Sequence, residues 1–466
     1  MHRIHFWGAT GTVTGSKYLV EAGVKLDDRL LIDCGLFQGI KDHRQRNWAP
    51  LPEDALTIGS IALTHAHIDH TGYLPRVVRE GFSGPVRCTA ATADLLNILL
   101  PDAAFLQEEE AAFANKKRFS KHSPALPLFT QADAATALKL IQTGAMDEDI
   151  QVSANLSIRF QTIGHILGAS CLRVTMNGPQ GPTSILFSGD VGRFGVPLMP
   201  NPFPPPAADY LVLESTYGDR LHGKECSREA LALVIEEAQR RGGVLVIPAF
   251  AVGRAQTLLY DIRRLEADKR ITPVPVYVDS PMAAKVTRIQ ERHVEFLDAE
   301  ARELYKQGRG LLLPEKVKLV GPSVESKALN NIKRDAIIIS ASGMLTGGRV
   351  LHHAFHRLPN ERNTFLFVGF QGQGTRGRTI TDGKESVKMF GTYVPIKAKI
   401  EQISGYSGHA DQDEIISWLK MFEQPPRRVF ITHGEPPASA GLAERIRKQL
   451  RWEVSIPEYL EQVDLE

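Results

Sequence analysis

Short apolar runs broken by glycine open the chain. Residues 3–7, 17–20 and 30–33 read as strands, and Gly8, Gly11, Gly15 and Gly35 punctuate them. The run at 60–64 reads as a buried strand. A helix is expected after His70 and a longer one through 94–113. Strands follow at 156–161, 171–176 and 184–188. Then Asn201-Pro202-Phe203-Pro204-Pro205-Pro206 forms a stiff connector. Beyond it the rhythm changes. Residues 210–214, 244–250, 274–279, 336–340 and 364–370 are continuous apolar runs, with helical segments between several of them. Strands buried on both faces read this way, and their alternation with helices predicts a parallel α/β domain. From about Ile396 the chain returns to strand–loop–helix units that carry histidines. The expected order is one catalytic-type half, an inserted α/β domain, and the remainder of the first half.

A length of 466 residues is too long for one simple core and fits two or three domains. The net charge of +2 sets up no chain-wide field for a polyanion, so any basic surface has to be local. Cys34, Cys88, Cys171 and Cys226 are scattered without a CxxC pair, which fits a reducing cytoplasm rather than a disulfide framework. The start lacks the charged-then-apolar pattern of a secretory leader. No apolar run reaches the length of a membrane span, so no membrane partner is expected. The run Lys116-Lys117-Arg118 reads as a solvated helix end rather than a binding patch.

The densest chemistry is His65-Ala66-His67-Ile68-Asp69-His70, directly after the apolar run at 60–64. Three imidazoles and a carboxylate on the loop leaving a strand are zinc-ligand types. A solvated histidine-rich turn would explain this run alone, but not the matching residues downstream. His165 lies in Gly164-His165-Ile166, Asp190 in Gly189-Asp190-Val191, and His433 in Thr432-His433-Gly434. Each is expected at a strand end beside glycine, where side chains can share one cleft. Singly, each would more readily be structural. Together with the six-residue run they form a pattern.

That pattern resembles the metallo-β-lactamase superfamily. The stretch between Asp190 and His433 is far too long for its simple members. Glu214 in Leu213-Glu214-Ser215-Thr216, and His409 in Ser407-Gly408-His409-Ala410-Asp411, resemble the extra motifs of the β-CASP subfamily, and His433 matches its last motif. The likeness is nearest to the group holding the nuclease subunit of the cleavage and polyadenylation specificity factor and its short prokaryotic relatives. The resemblance implies an α/β chain: an αββα sandwich from residues 1–208 and 393–466, with a parallel α/β β-CASP domain inserted at 209–392. It implies two zinc ions. His65, His67 and His165 would hold one, Asp69, His70 and His433 the other, and Asp190 would bridge them. Asp33, in Ile32-Asp33-Cys34-Gly35, would support the ligands from behind.

The implied activity is hydrolysis of single-stranded RNA, as an endonuclease, with 5′ exonuclease action left open. Two cations would activate water and offset transition-state charge. His409 would protonate the leaving 3′ oxygen and Glu214 would orient it, so His409, Glu214 and Asp69 form the implied catalytic set. Two strand-to-helix turns could receive phosphate: one at 248–256 with Arg254 beside it, and one at Ser340-Ala341-Ser342-Gly343-Met344, where Ser340, Ser342 and Gly343 match a subfamily phosphate motif. Arg376 and Arg378 add charge to a glycine-rich loop. Plain crossover turns and solvated arginines explain these segments as well without the family. Two other readings stand beside the nuclease. A dinuclear thioester or lactone hydrolase needs the same ligands but not Glu214, His409 or the insertion. A non-catalytic RNA-processing scaffold is expected to lose ligands, whereas every ligand position here is filled. The sequence leaves a homodimer open.

Overall fold

The glycine-punctuated strands of the N-terminal third pair with one another. In the computed structural model, which describes residues 2–466 except 119, 121, 180, 224, 225, 309, 311, 370 and 373, they build a seven-stranded sheet. Its order is Gln462–Leu465, His2–Phe6, Tyr18–Glu21, Arg29–Ile32, Ser60–Ala62, Val86–Thr89 and Ile141–Gly144. A second seven-stranded sheet runs Val454–Ser455, Arg428–Thr432, Tyr210–Glu214, Gly181–Phe187, Ser170–Gly178, Leu156–Thr162 and Ile150–Gln151. Alternate residues of Leu156–Thr162 are buried, and they meet the first sheet in one core. Ile4, Phe6, Leu30 and Ile32 pack there with Phe160, Leu172, Phe187 and Phe430. Each such side chain contributes about 1.5–3 kcal/mol when withdrawn from water. Helix Ala90–Lys117 packs beside Val86–Thr89 and Ile141–Gly144, and helix Pro436–Leu450 beside Arg428–Thr432. This is the expected four-layer order of helix, sheet, sheet and helix.

A second unit, Val196–Met199 with His222–Gly408, carries a six-stranded sheet. Its order is Val317–Leu319, Val276–Val278, Ala336–Ser340, Val244–Pro248, Thr364–Phe367 and Lys399–Gln402, and every pairing is parallel. Strand side chains alternate between faces, and here both faces are covered. Leu245, Ile247, Ile337 and Ile339 pack into one core, and Val244, Val246, Ile338 and Phe365 into another. That is why these strands read as unbroken apolar runs. Phe370, read into the 364–370 run, lies outside the described residues.

The division of the chain differs from the one read from sequence. The first unit is Met1–Gly195, Pro200–Leu221 and His409–Glu466. Tyr210–Glu214, expected in the insertion, pairs in parallel with Gly181–Phe187 and Arg428–Thr432. Lys399–Gln402, expected after the insertion, pairs in parallel with Thr364–Phe367. A short strand fits parallel pairing in either unit, so its own residues do not reveal which sheet it joins. Among the described residues no helix is long and apolar enough to cross a membrane.

Candidate active site

Strand direction gathers the site. Leu156–Thr162, Gly181–Phe187, Tyr210–Glu214 and Arg428–Thr432 all run the same way, because two antiparallel steps separate the first from the second and the rest are parallel. Their C-terminal ends deliver His165, Asp190, Glu214 and His433 to one edge of the sheet. In the other sheet, the parallel strands Arg29–Ile32 and Ser60–Ala62 deliver Asp33 and the His65–His70 loop. Ligands gather at the carboxyl ends of parallel strands for this geometric reason.

The turn after Ile32 staples the histidine loop in place. The amides of Cys34 and Leu36 donate to His70 and Ile68 carbonyls at 2.7 and 3.0 Å, and Ser16 N–H donates to Asp69 O at 2.9 Å. Only glycine fits at position 35, since a Cβ there would lie 1.6 Å from the Asp69 carbonyl oxygen. Asp33 and His433 adopt φ of +58° and +50°. Left-handed backbone at non-glycine residues is costly and concentrates at functional sites.

Two groups of donor atoms result. In the first, His65 Nε2 and His165 Nε2 lie 3.2 and 3.3 Å from His67 Nδ1, and 3.3 and 3.4 Å from Asp190 Oδ2. In the second, His70 Nε2 lies 3.2 Å from His433 Nε2 and 3.2 Å from Asp190 Oδ1, and His433 Nε2 lies 3.5 Å from Asp69 Oδ2. Each group can hold a metal ion. Four donors placed tetrahedrally around zinc at its usual bond lengths are about 3.3 Å apart. Facing imidazole nitrogens can share at most one proton per pair, so hydrogen bonding alone leaves the first group unsatisfied. Asp190 is buried, yet neither of its carboxylate oxygens accepts a hydrogen bond, and one oxygen faces each group. The donor set therefore fits two cations sharing one carboxylate. A third cluster, His5, Glu21 and Glu53, already contains the Arg29 guanidinium as its cation.

Protonation follows the same logic. Burial, reinforced by neighbouring imidazoles, pushes His67 down to about 3 and lowers His65 and His165, which keeps them in the neutral form that binds metal. Burial also acts to lower His70, but the Asp190 and Asp33 carboxylates outweigh it and raise its pKa. A cation in the second group would take over that proton's electrostatic role.

The ring orientations are fixed from behind. His70 Nδ1–H donates to Asp33 Oδ2 at 2.7 Å. Thr64 donates its single hydroxyl proton to Asp33, at 3.0 Å to the nearer oxygen, so at 3.0 Å from His65 Nδ1 it accepts. With a metal ion bound, both histidines would thus turn an unprotonated Nε2 toward the donor groups. Thr216 Oγ1 lies 3.1 Å from His433 Nδ1. The sequence reading found Asp33 but missed Thr64 and Thr216. Their only signal is adjacency, directly before His65 and two residues after Glu214.

His409 stands outside both groups. Its Nδ1 is 3.2 Å from Glu214 Oε1 and 3.8 Å from Asp190 Oδ2, and its ring centre is 4.6 Å from that of His165. Glu214 is buried and held by the Val191 and Thr216 amides at 2.7 and 3.1 Å. Burial acts to lower the His409 pKa, but the Glu214 and Asp190 carboxylates win and raise it.

The residues read as RNA contacts also make contacts within the second unit. Ser340 is buried and donates to Asp279 O at 3.0 Å, and Ser342 Oγ lies 3.0 Å from Thr346 Oγ1. Gly343 packs against Phe250. Arg254 donates to Val368 O, Arg376 to Lys388 O and Leu345 O, and Arg378 to Asp382. These side chains hold turns of the second unit together. Glycine-rich crossovers leave backbone carbonyls that arginine satisfies.

Lys17 was not singled out from sequence, and it braces the turns behind the site. Its buried ammonium donates to Gly15 O and Gly35 O at 3.3 and 2.5 Å, between the rings of Phe37 and Tyr73. Burial lowers its pKa from 10.5 to about 8. The cost of burying the charge is therefore full below about pH 8 and is relieved as pH rises toward 10.5. In that window the unfolded chain binds more protons, so unfolding free energy gains up to about 1.4 kcal/mol per pH unit. Denaturant unfolding across the window should show this rise in the wild type, and a smaller one in Lys17→Met.

Comparison with known proteins gives three matches along the chain: "Metallo-beta-lactamase superfamily" over residues 11–216, "Beta-Casp domain" over 255–380, and "Zn-dependent metallo-hydrolase RNA specificity domain" over 393–457. A protein of Thermus thermophilus named "Ribonuclease TTHA0252" is 37% identical over 93% of this chain and 93% of its own length. The "Transcription termination factor FttA" of Methanocaldococcus jannaschii is 29% identical over 99% of this chain and 71% of its own length. A crystal structure of a protein of unknown function from Enterococcus faecalis V583 shares the fold, with a TM-score of 0.53 at 14% identity over 100% of both chains.

Proposed function

Because the chain belongs to the β-CASP branch of the metallo-β-lactamase superfamily of metallo-hydrolases, we propose that it cleaves phosphodiester bonds of single-stranded RNA with two zinc ions. In this reading His65, His67, His165 and Asp190 would hold one ion, and Asp69, His70, His433 and the shared Asp190 would hold the other. Bound there, the two ions supply Lewis acidity that activates water at neutral pH and offsets charge on the phosphate. Every other role falls to the chain. Asp33 fixes His70 directly and His65 through Thr64, so one carboxylate orients a ligand in each group. Glu214 holds His409 by its Nδ1, which directs the opposite ring nitrogen to donate a proton to the leaving 3′ oxygen.

The observation that carries this reading is the His409–Glu214 pair. A histidine that is not among the metal donors, hydrogen-bonded to a buried carboxylate beside them, is what a leaving alkoxide requires. A thioester leaving group needs no such proton, because a thiolate departs readily on its own. The relative named a ribonuclease and the match to an RNA specificity domain support RNA over other phosphodiesters.

Two measurements test it. Atomic emission on purified protein should give close to two zinc per chain, with hydrolysis lost on chelation. A value near one in fully active protein would rule out the two-ion arrangement. End-labelled single-stranded RNA should be cut, with matched DNA and duplex RNA poor substrates. Turnover of S-lactoylglutathione without RNA cleavage would favour the thioester reading instead.

A further inference from the structure

Before its last strand the second unit carries a small hairpin with an exposed outer face. Ser386–Met389 pairs with Thr392–Pro395, and Val387, Met389 and Val394 point inward to the core. The outer face carries Lys388 directly opposite Tyr393, with the ammonium 6.0 Å from the ring centre. Two residues, Phe390 and Gly391, make the turn, with φ of +49° and +83°. Such turns favour asparagine or aspartate before the glycine, since a left-handed residue with a bulky side chain is strained. The chain instead keeps a phenylalanine there, 55% exposed, with its ring stacked 4.8 Å from His352 at 26°. Phe355 meets the same ring edge-on at 5.7 Å. Tyr393 is 69% exposed. From Ser386 to Lys399 there are three lysines and no carboxylate.

Burial does not account for Phe390 and Tyr393, and turn chemistry argues against Phe390. Exposed aromatic rings beside a lysine, with one face of Phe390 already braced by His352, match the demands of an unpaired base and its phosphate. Base–aromatic stacking is tolerant of sequence, and cations flanking the rings track the backbone. The lysine beside the rings, Lys388, favours a phosphate-bearing partner. We propose that the hairpin is a stacking platform for single-stranded RNA, with Phe390 and Tyr393 receiving bases and Lys388 a phosphate. It rests on the RNA reading above and adds a binding site apart from the metal groups.

The turn itself supplies a clean test. Phe390→Asn places a residue that suits the left-handed turn, so the fold should be kept or stabilised. Tyr393→Thr preserves strand preference. Binding is measured by anisotropy of fluorescein-labelled single-stranded RNA, in a His409→Ala background that slows cutting. The double variant should bind about tenfold or more weakly, within the range for losing one or two stacked bases. Without the background change, the double variant should hydrolyse bis(p-nitrophenyl) phosphate as the wild type does. Unchanged RNA affinity at unchanged melting temperature would overturn the platform while leaving the nuclease reading intact. It is also the result expected if a protein covers the patch. Failure of the parent protein to bind single-stranded RNA at all would overturn both.

Discussion

Asp190→Asn is expected to lose zinc from both groups and to abolish hydrolysis. Asp190 presents one oxygen to His65 and His165 at 3.3 and 3.4 Å, and the other to His70 at 3.2 Å. The histidines around it, burial notwithstanding, hold its pKa well below the usual carboxylate range. An amide carries no charge and offers only one acceptor oxygen, so at best one group keeps a weakened ligand. The metal contribution to such reactions is several kcal/mol, so the rate should fall by about 10³-fold or more. His433→Ala touches only the second group and should weaken that site while sparing the first. Zinc per chain after dialysis, read beside RNA cleavage, distinguishes these outcomes. Two retained zinc ions in Asp190→Asn would show that Asp190 does not bridge.

The reach and the limits of the sequence are clear at particular residues. His65, His67, Asp69, His70, His165, Asp190 and His433 were legible because ligand chemistry concentrates rare residue types beside glycine at strand ends, and the fold brings all seven together. The parallel sheet was legible because doubly buried strands are continuous apolar runs. Thr64 and Thr216 were not, because a threonine beside a ligand has no distinctive pattern until its hydroxyl geometry is known. Strand membership at Tyr210–Glu214 and Lys399–Gln402 depends on pairing with residues far away in the chain, which periodicity does not encode. Arg254, Arg376 and Arg378 suggested a polyanion by charge. Some of their donors serve the turns of their own unit. Charge in a sequence states a capacity, and local carbonyls and carboxylates compete for it first.

His409→Ala is expected to keep both zinc ions and bind RNA, yet cleave it about 10²–10⁴-fold more slowly, the usual worth of general acid catalysis. The geometry separates this residue from the ligands: its Nδ1 faces Glu214 at 3.2 Å, and it belongs to neither donor group. A substrate with sulfur in place of the leaving 3′ oxygen should partly rescue the variant, because a thiolate leaves without a proton. The pH dependence gives an independent check. His409 must be protonated to act, and the Glu214 and Asp190 carboxylates raise its pKa against the effect of burial. Glu214→Gln removes one of these charges but can still orient the ring. It should slow cleavage less than His409→Ala and move the alkaline limb of the kcat/KM profile to lower pH. Loss of zinc from His409→Ala would make His409 a ligand. A rate unchanged from wild type, or an alkaline limb unmoved in Glu214→Gln, would remove the pair from proton delivery.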